Sequence, residues 1–550
     1  MTRTGLLLAV TVSAAALVAH GAFAQDNVAP TALERATPKA DNTPAANALS
    51  PELGEVVLAS GMMPLENPSA TFSHFGFAAD GPLLPAPGAV QQKGKNVEAT
   101  KTEPDKNTYL VLTGQKGADA AYDYGSHFIF QGHEVGPQDD KGNGKGLLTR
   151  VNLDADAAHR ITLMAETDAT GNPVPLIDGS TWDPFAKRLL LTSEMGPKGG
   201  VWQASLDVPA KVEPLFGAFG RESYEGVQTD KNGSIWLVAD AGGKKGVTNS
   251  HAKQPNSFVY RFVPKDKADL GKGGKLQVLQ VLTTANEPIV FANGDMDGDI
   301  RSNGVKELHS YGSALKTRWV LLHDTDKDGM ESFDANALAK AKQGTPFKRP
   351  ENGQFRPGSD FKEFYFSETG DTTARTEAGT EYGGFGAVLK LAQADAAADG
   401  GTLSLVYRGD VEHTGLDNVA FWTADKVVFV EDAGDDLHSQ RKAFDSGYLF
   451  DLGADYSKPG TQPARLIALG RDPLATIDSA IGSGEPAGFQ NEGDNEITGI
   501  HISDGDPSEA GLLGAKVPTP FKNGWRVFYT QQHGENTLWE VIAKPSLATN

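Results

Sequence analysis

A short pattern recurs six times along this chain, and it limits the fold more than any other feature of the sequence. Each unit contains an apolar strand, a polar or acidic strand end, a glycine turn and a second apolar strand. In the clearest copy, at 220–262, strand 235–238 ends on Asp240, two glycines follow, and the next strand is 258–262. Turn residues and runs of β-branched or aromatic residues predict each strand.

Three further copies lie at 181–206, 416–452 and 496–541, and two looser copies surround Glu134 and Glu368. Repeated units of short antiparallel strands are typical of a β-propeller, because a single blade cannot bury both of its faces without neighbours. We therefore predict an all-β fold, a β-propeller with six blades.

Residues 1–24 have the features of an export signal. A basic start is followed by an apolar core at 6–18 and by the small-residue cleavage site Ala22-Phe23-Ala24. The apolar core is too short to span a membrane, and no later apolar run is long enough. We predict a periplasmic or secreted protein without a membrane span, a flexible leader at 25–55 and a propeller domain at 56–550.

The composition excludes several kinds of chemistry. The chain contains no cysteine, which excludes thiolate nucleophiles, thiolate metal ligands and iron–sulfur clusters. The formal net charge is −21 at pH 7, and this excess of acids argues against nucleic acid or an anionic membrane as a partner. Much of the charge serves solubility, but it also favours the binding of cations.

Carboxylates stand at similar strand ends in successive units. Equivalent strand ends of a propeller meet at one mouth of its central channel, so these side chains should converge. Converging carboxylates must either take up protons or hold cations, and hard divalent ions suit them best. Any one of them alone would more often be an exposed turn residue, but the set together favours a metal site. The acids are Glu134, Glu194, Glu225, Asp240, Glu368, Glu431 and Asp432.

A separate acidic loop lies within residues 265–348, a span that does not fit a blade and that we interpret as an insertion. Asp324, Asp326 and Asp328 alternate and a glycine follows, as in the calcium loop of an EF-hand. The twelfth position is Ala335 instead of the usual glutamate. The loop is a candidate calcium site, and the alternative is a solvated acidic turn.

Arg349 is the basic residue of most interest, because it lies two residues before Glu351. In an anionic pocket such a guanidinium would recognise an anion carried in with a metal ion, such as phosphate. The alternative is a surface arginine in a proline turn. The sequence has no nucleophile elbow, no zinc-protease helix motif and no phosphate-binding P-loop.

Six short motifs, in order along residues 120–545, resemble those of the PhoX alkaline phosphatase family. The resemblance implies an exported, monomeric propeller that hydrolyses phosphate monoesters with calcium ions and an iron pair held at the channel mouth. The motifs are GHEVG at 132–136, LLTSE at 190–194, FGRESYEGV at 219–227, RPENG at 349–353, LDNVAF at 416–421 and NEITG at 495–499.

The resemblance also implies roles for particular residues. Arg349 would hold the substrate phosphate, and acids of several motifs would be metal ligands. Metal-assisted phosphoryl transfer needs such cations to neutralise the phosphate oxygens and to activate the nucleophile. The implied ligands are Glu194, Glu225, Glu351, Glu431, Asp432 and Glu496.

Four positions depart from the family pattern. The cysteine that bridges the irons is Ser193, the acid two residues later is Met195, the phosphate-binding asparagine is Gly132, and a histidine is Tyr224. We therefore expect calcium, and the missing cysteine puts an iron pair of the same kind in doubt.

The sequence thus predicts an exported, metal-dependent hydrolase that acts on phosphorylated small molecules. Two alternatives stay open. One is a non-catalytic, calcium-stabilised propeller that binds a ligand or partner, which the departures favour. The other is a metal-dependent propeller of the lactonase or phytase kind. An anion site beside metals with an open coordination position would favour a hydrolase.

Overall fold

The structure is a computed structural model, and it describes residues 30–39, 45–78, 102–138, 143–292, 294–470, 496–532 and 536–545. The expected export signal at 1–24 lies outside these residues. Over the described ranges, no helix has both the length and the apolar character needed to cross a membrane.

Strands dominate the described part of the chain. In chain order they are β1 (Ala48–Leu49), β2 (Leu53–Ala59), β3 (Pro104–Val111), β4 (His127–His133), β5 (Leu148–Asn152), β6 (Ile161–Ala165), β7 (Ser180–Asp183), β8 (Arg188–Ser193), β9 (Gly200–Ala204), β10 (Val212–Pro214), β11 (Tyr224–Thr229), β12 (Ile235–Ala239), β13 (Val259–Pro264), β14 (Gly274–Val281), β15 (Leu315–Asp324), β16 (Gly353–Phe355), β17 (Glu363–Glu368), β18 (Ala387–Gln393), β19 (Gly401–Arg408), β20 (Leu416–Phe421), β21 (Lys426–Glu431), β22 (Ser446–Asp451), β23 (Ala464–Ala468), β24 (Glu496–Ser503), β25 (Arg526–Gln532) and β26 (Thr537–Ala543).

The α-helices are short and lie between strands. They are α1 (Phe216–Phe219), α2 (Met296–Ile300), α3 (Asn303–Leu308), α4 (Thr325–Asp328), α5 (Ala335–Ala341) and α6 (Gly434–Arg441).

Hydrogen bonding joins the strands into five antiparallel sheets. Their strand orders are β3-β4-β5-β6, β10-β9-β8-β7, β11-β12-β13-β14-β15-β19-β18-β17-β16, β1-β23-β22-β21-β20 and β2-β26-β25-β24. The nine-stranded sheet contains two four-stranded meanders joined through β15. This strand pairs with β14 over Thr317–Asp324 but with β19 only at Leu315 and Lys316.

The first strands of the meanders form the centre of the molecule. β3 contacts β7, and the contacts continue through β11, β16, β20 and β24 back to β3, which closes a ring. The all-β, propeller-like arrangement of small sheets that the repeats predict is confirmed. Among the described residues the hydrogen-bonded sheets number five, however, because β15 bridges two of the meanders.

Apolar side chains fill the space between neighbouring meanders. Trp236 of β12 packs edge-on against Trp319 and Phe355, at centroid distances of 5.1 and 5.0 Å, and its indole nitrogen donates to Asp230. Strands β8 and β12 are buried along almost their whole length, because each sheet lies between two others and shares a core with both.

Two stretches take more part in the fold than the sequence indicates. The expected leader at 25–55 supplies β1 and the start of β2, which pair with the otherwise open edges of β23 and β26. The expected insertion at 265–348 supplies β14 and β15, together with α2 to α5. The side chain of Asp334 caps the N-terminus of α5 by accepting a hydrogen bond from the backbone nitrogen of Ala337.

Pairing of β2 with β26 should be needed for stability, because it joins the two ends of the chain in one sheet. A protein that begins at residue 60 would lose the six paired positions between Leu53–Ala59 and β26. At about 1 kcal/mol for each lost hydrogen bond, we expect the free energy of unfolding to fall by roughly 5 kcal/mol. Urea unfolding would measure the loss, with a protein that begins at residue 45 as the control. Equal stabilities would contradict a closing role for β2.

Candidate metal centre

Six carboxylates stand at the starts of the six strands that form the central ring. In an antiparallel meander, the start of the first strand and the end of the second strand lie at the same edge of the sheet. Acids that directly follow β4, β8 and β12 therefore face the same end of the ring. The acids at the strand starts are Asp105, Asp178, Glu225, Glu351, Asp417 and Glu496. The acids that follow the second strands are Glu134, Glu194 and Asp240.

β-Bulges interrupt the pairing where several of these acids lie. The register shifts between Pro104 and Asn107 in β3, between Tyr224 and Val227 in β11, and between Leu416 and Val419 in β20. A bulge adds an unpaired residue, and it can redirect a side chain out of the sheet. Each of these bulges contains one of the six acids.

The carboxylates form three linked groups. Within each group, one oxygen of every member lies within 4.8 Å of the others. Asp178 and Glu225 each belong to two groups, so the three form one continuous cluster. An all-oxygen donor set of this kind fits a hard divalent cation such as calcium. The groups are Asp105, Glu134 and Asp178; Asp178, Glu194 and Glu225; and Glu225, Asp240 and Glu351.

Burial makes the charged form of these acids costly. It raises the pKa of Asp178 and of Glu225 well above the ordinary value, and neighbouring carboxylates raise both further. Burial and the charge of Asp105 raise the pKa of Asp417 to about 6. A cluster with these properties takes up protons or binds cations when the pH approaches neutrality.

Arg349 is placed against the third group. Its Nε lies 2.8 Å from one carboxylate oxygen of Asp240, and its Nη2 lies 3.1 Å from Oε1 of Glu351. The residue has a left-handed φ of 57°, which is costly for a side chain other than glycine. Backbone bonds hold it there: Lys348 N donates to Glu368, and Thr369 N donates to the carbonyl of Arg349.

Several residues of the centre are not evident from the sequence patterns. Asn352 donates to Glu225 at 2.8 Å and to Asp417 at 3.3 Å, so it ties two strand starts together. The missed acids share one signal, a position at or just before the first strand of a unit. The missed residues are Asp105, Lys106, Asp178, Asn352 and Asp417.

The four departures from the family pattern have structural counterparts. The buried hydroxyl of Ser193 has no hydrogen-bond partner in the described part of the chain. A Cβ at Gly132 would lie 2.4 Å from Ile177 Cγ2, so an asparagine has no room there. Tyr224 donates to the carbonyl of Phe219 and is fully buried, and Met195 is 40% exposed. None of these supplies a thiolate, an amide or an imidazole to the cluster.

Some predicted ligands border the cluster and one is engaged elsewhere. The charge of Asp432 acts on Glu194, and that of Glu496 acts on Glu134. Glu431 instead forms a bidentate pair with Arg441, with both N···O distances at 3.0 Å. The strand-end acid Glu368 is likewise paired, at 2.6 Å, with His309. A ligand role for Glu431 stays a prediction, and its geometry is that of a buried ion pair.

The acidic loop at Asp324 lies outside the linked groups. Asp324 caps α4 and lies 3.4 Å from Lys327, while Asp326 pairs with Lys265 at 2.5 Å. Asp328 accepts a hydrogen bond from the backbone nitrogen of Asp324. The three carboxylates are directed at different cations and backbone groups. Calcium at this loop stays a prediction.

Comparisons with known proteins agree with this arrangement. The sequence model of the family "Alkaline phosphatase PhoX" matches residues 220–507, more than half of the chain. The chain belongs to the PhoX alkaline phosphatase family. No curated protein matches it.

The likeness in fold rests on one solved structure. Pseudomonas fluorescens PhoX in complex with vanadate, a transition state analogue, aligns with a TM-score of 0.52 at 11% identity, over 94% of this chain and 98% of that chain. Sqt1 from Chaetomium thermophilum aligns with a TM-score of 0.31 at 11% identity, over 81% and 97%. The likeness to PhoX shows a shared fold.

The raised pKa values predict how the stability of the metal-free protein depends on pH. Groups such as Glu225 and Asp417 bind more protons in the folded state than in the unfolded state. Their stabilising contribution is therefore complete below the ordinary carboxyl pKa and is lost as pH rises through the folded value, about 6 for Asp417. In EGTA we expect the free energy of unfolding to fall between pH 5 and pH 8.

Millimolar calcium should make the free energy of unfolding less dependent on pH, because bound cations would replace protons as the neutralising charge. Urea unfolding at pH 5, 6, 7 and 8, with EGTA or with calcium, would measure it. The same slope in both conditions would argue against a cation site in the cluster.

The ion pair of Glu431 gives a second prediction. Arg441→Met leaves the buried carboxylates of Glu431 and Asp445 without their shared guanidinium, which should cost about 3–5 kcal/mol of stability. The loss should be the same in EGTA and in calcium, and adding Glu431→Gln should restore part of it. Recovery of Arg441→Met by calcium would instead show that Glu431 can hold a metal ion.

Proposed function

We propose that this protein is an exported, metal-dependent hydrolase of phosphate monoesters, and that calcium is held by the linked carboxylate groups. The observation that carries the proposal is Arg349 beside the group of Glu225, Asp240 and Glu351. A guanidinium next to a cation site is the arrangement that binds a phosphate between a metal ion and an arginine. Membership of the PhoX family supports the same activity.

Arg349 has donors to spare for a substrate. Its Nε and Nη2 bond to Asp240 and Glu351, while Nη1 has no hydrogen-bond partner among the described residues. The side chain is 17% exposed, so one side of the guanidinium faces accessible space. Asp240 and Glu351 would hold the guanidinium plane in place as it binds two phosphate oxygens.

The remaining residues would prepare the cluster. Glu225, Asp240 and Glu351 would hold one cation, and Asn352 keeps Glu225 in its orientation through the 2.8 Å hydrogen bond. Bound divalent ions would neutralise charge on the phosphate oxygens and make a water molecule a stronger nucleophile. The burial of the carboxylates lowers the local dielectric constant, which strengthens these interactions.

We further propose that the fold is a six-bladed propeller within residues 56–550, acting as a monomer. The ring of six first strands supports this count, with the nine-stranded sheet taken as two blades bridged by β15. Export rests on the signal features of residues 1–24. Recovery of the mature protein from the periplasm or medium, with its N-terminus near Gln25, would test it.

A second candidate is a non-catalytic propeller that calcium stabilises and that binds a ligand. The site of Gly132 favours it, because Ile177 closes the space where the family has a phosphate-binding asparagine. The serine at position 193 favours it too, because a hydroxyl cannot bridge two irons as a thiolate does. The two candidates share the cation site and differ in turnover.

Hydrolysis of p-nitrophenyl phosphate would separate them. We expect turnover that EGTA removes and calcium restores. Arg349→Met should lower kcat/KM at least about 100-fold, as for loss of one preorganised donor to a developing charge. Arg375→Met is the control, because Arg375 is exposed and pairs only weakly with Asp436. Calcium bound without turnover of any phosphoester would support the binding protein instead.

A further inference from the structure

The backbone of Arg349 is held in place by the end of strand β17. Its φ of 57° is left-handed, and the proline that follows it restricts the residue further. Thr369 N donates to the carbonyl of Arg349 at 2.9 Å, and Gly370 N donates to the carbonyl of Lys348 at 3.2 Å. The side chain of Glu368 adds a third bond, because its Oε1 accepts from Lys348 N at 2.7 Å. One carboxylate thus helps to fix the turn that presents the guanidinium.

The other oxygen of this carboxylate is bound by His309. Nε2 of His309 lies 2.6 Å from Oε2 of Glu368, and the two side chains are 1% and 0% exposed. Nδ1 of His309 lies 2.7 Å from the carbonyl of Val305, and a carbonyl oxygen only accepts, so Nδ1 carries a proton. A hydrogen bond between Nε2 and the carboxylate needs a second proton between them. Both ring nitrogens are therefore engaged, which gives the imidazole one orientation.

The surroundings of His309 hold its side chain in place. The residue directly follows α3 and is the C-cap of this helix. A Cβ at Gly383 would overlap Nε2 of His309, so the backbone of that segment packs directly on the ring. Lys306 of α3 pairs with Glu381 of the same segment at 3.1 Å. The imidazole is thus fixed by α3 and by the segment of Gly383, and both lie outside the linked carboxylate groups.

We propose that His309 is a positioning residue for phosphate binding. It orients Glu368, Glu368 fixes the backbone at Lys348, and this turn aims Arg349 at the substrate. The inference rests on the proposed function, because it gives His309 a part in the work of Arg349. His309 itself is buried and does not touch the substrate, so its effect passes through the hydrogen bonds of 2.6 and 2.7 Å to the two sides of one carboxylate.

The physical basis is preorganisation. A guanidinium that binds two phosphate oxygens is most effective when its orientation is fixed before the substrate arrives. A left-handed φ is costly for arginine, so the backbone at Arg349 relaxes to another conformation when the bonds that hold it are loosened. Without His309, the carboxylate of Glu368 has no partner for Oε2 and is free to turn away from Lys348 N. The guanidinium of Arg349 would then be less well ordered.

Amide hydrogen exchange tests the structural step without any need for turnover. In calcium, we expect exchange in the peptide of residues 346–355 to become roughly tenfold faster in His309→Leu than in the natural protein. Exchange in the buried strand β8 should stay unchanged, which separates a local effect from a general loss of stability. His159→Leu is the control, because His159 pairs with another carboxylate, that of Asp156, at 2.8 Å in the turn before β6. Equal exchange at 346–355 in the natural protein and in His309→Leu would overturn the proposal.

Two variants of Glu368 separate orientation from charge. In Glu368→Gln the amide oxygen can accept from Lys348 N and the amide nitrogen can donate to Nε2 of His309, so both hydrogen bonds are kept. Exchange at 346–355 should therefore stay at the natural rate in Glu368→Gln, and it should rise in Glu368→Ala as in His309→Leu. Equally fast exchange in the glutamine and alanine variants would show that the charge holds the turn, and would overturn the proposal.

Kinetics test the link to phosphate binding. With p-nitrophenyl phosphate in calcium, His309→Leu should lower kcat/KM roughly tenfold, and Glu368→Gln should restrict the loss to less than about threefold. In an Arg349→Met background, His309→Leu should cause no further loss, because His309 acts through Arg349. A loss of kcat/KM in Arg349→Met but none in His309→Leu, or additive losses, would overturn this proposal alone. Natural turnover in Arg349→Met would overturn the proposed function instead, and with it the phosphate role of His309.

A double variant covers the case in which His309→Leu does not fold. That change leaves the buried carboxylate of Glu368 without its partner, which is costly. His309→Leu/Glu368→Gln removes the unpaired charge, yet the side chain at position 368 still lacks the group that orients it. We expect faster exchange at 346–355 and a lower kcat/KM in this variant as well. Natural values of both in the folded double variant would overturn the proposal.

Discussion

Repulsion among buried carboxylates is the constraint on which this structure depends. Within each of the three linked groups, one oxygen of every acid lies within 4.8 Å of the others, and most of these acids are buried. At such short distances their negative charges repel one another strongly. Such a cluster pushes the surrounding strands apart unless positive charge or protons compensate it. The closed ring of strands supplies the mechanical restraint. Arg349 supplies one positive charge, and in the proposed function bound cations would supply the rest. The fold and the site therefore both depend on compensation of the repulsion among these carboxylates.

Some acids of the cluster can be predicted from the sequence, because the ends of strands can be recognised in it. Glu194, Glu225 and Asp240 follow or begin clear strands, and the structure brings them together. Asp105 and Asp178 follow the same rule at the starts of strands, but a bulge hides the register of Asp105, and Asp178 lies two residues before its strand begins. A bulge shifts the alternation of side chains by one residue. The alternation of apolar and polar residues therefore predicts the strand, but it does not predict the direction of an acid within the bulge.

The strand-end acids that do not join the cluster show the other limit. Glu431 and Glu368 occupy the expected places, yet Arg441 neutralises the first and His309 lies against the second. His309 is far from Glu368 in sequence, and it reaches its partner only because the segment that carries α3 folds back onto the ring. Whether a carboxylate is available to a metal ion depends on such long-range pairing. The periodicity of strands in the sequence does not predict this pairing. The same holds for β1 and β2, whose sequence looks like a leader and whose structure is set by the open edges of β23 and β26.

The pairing of β2 with β26 has a consequence for the order of events in folding. Leu53 is opposite Ala543, so the sheet is completed by residues from nearly opposite ends of the chain. Contacts of such high sequence separation form late and slow the folding of a domain. β2 is made early, but it cannot pair in its sheet until β26 has been synthesised. The ring itself closes through contacts of β24 with β3, so a chain from which β24 has not yet emerged cannot enclose the carboxylates of the cluster.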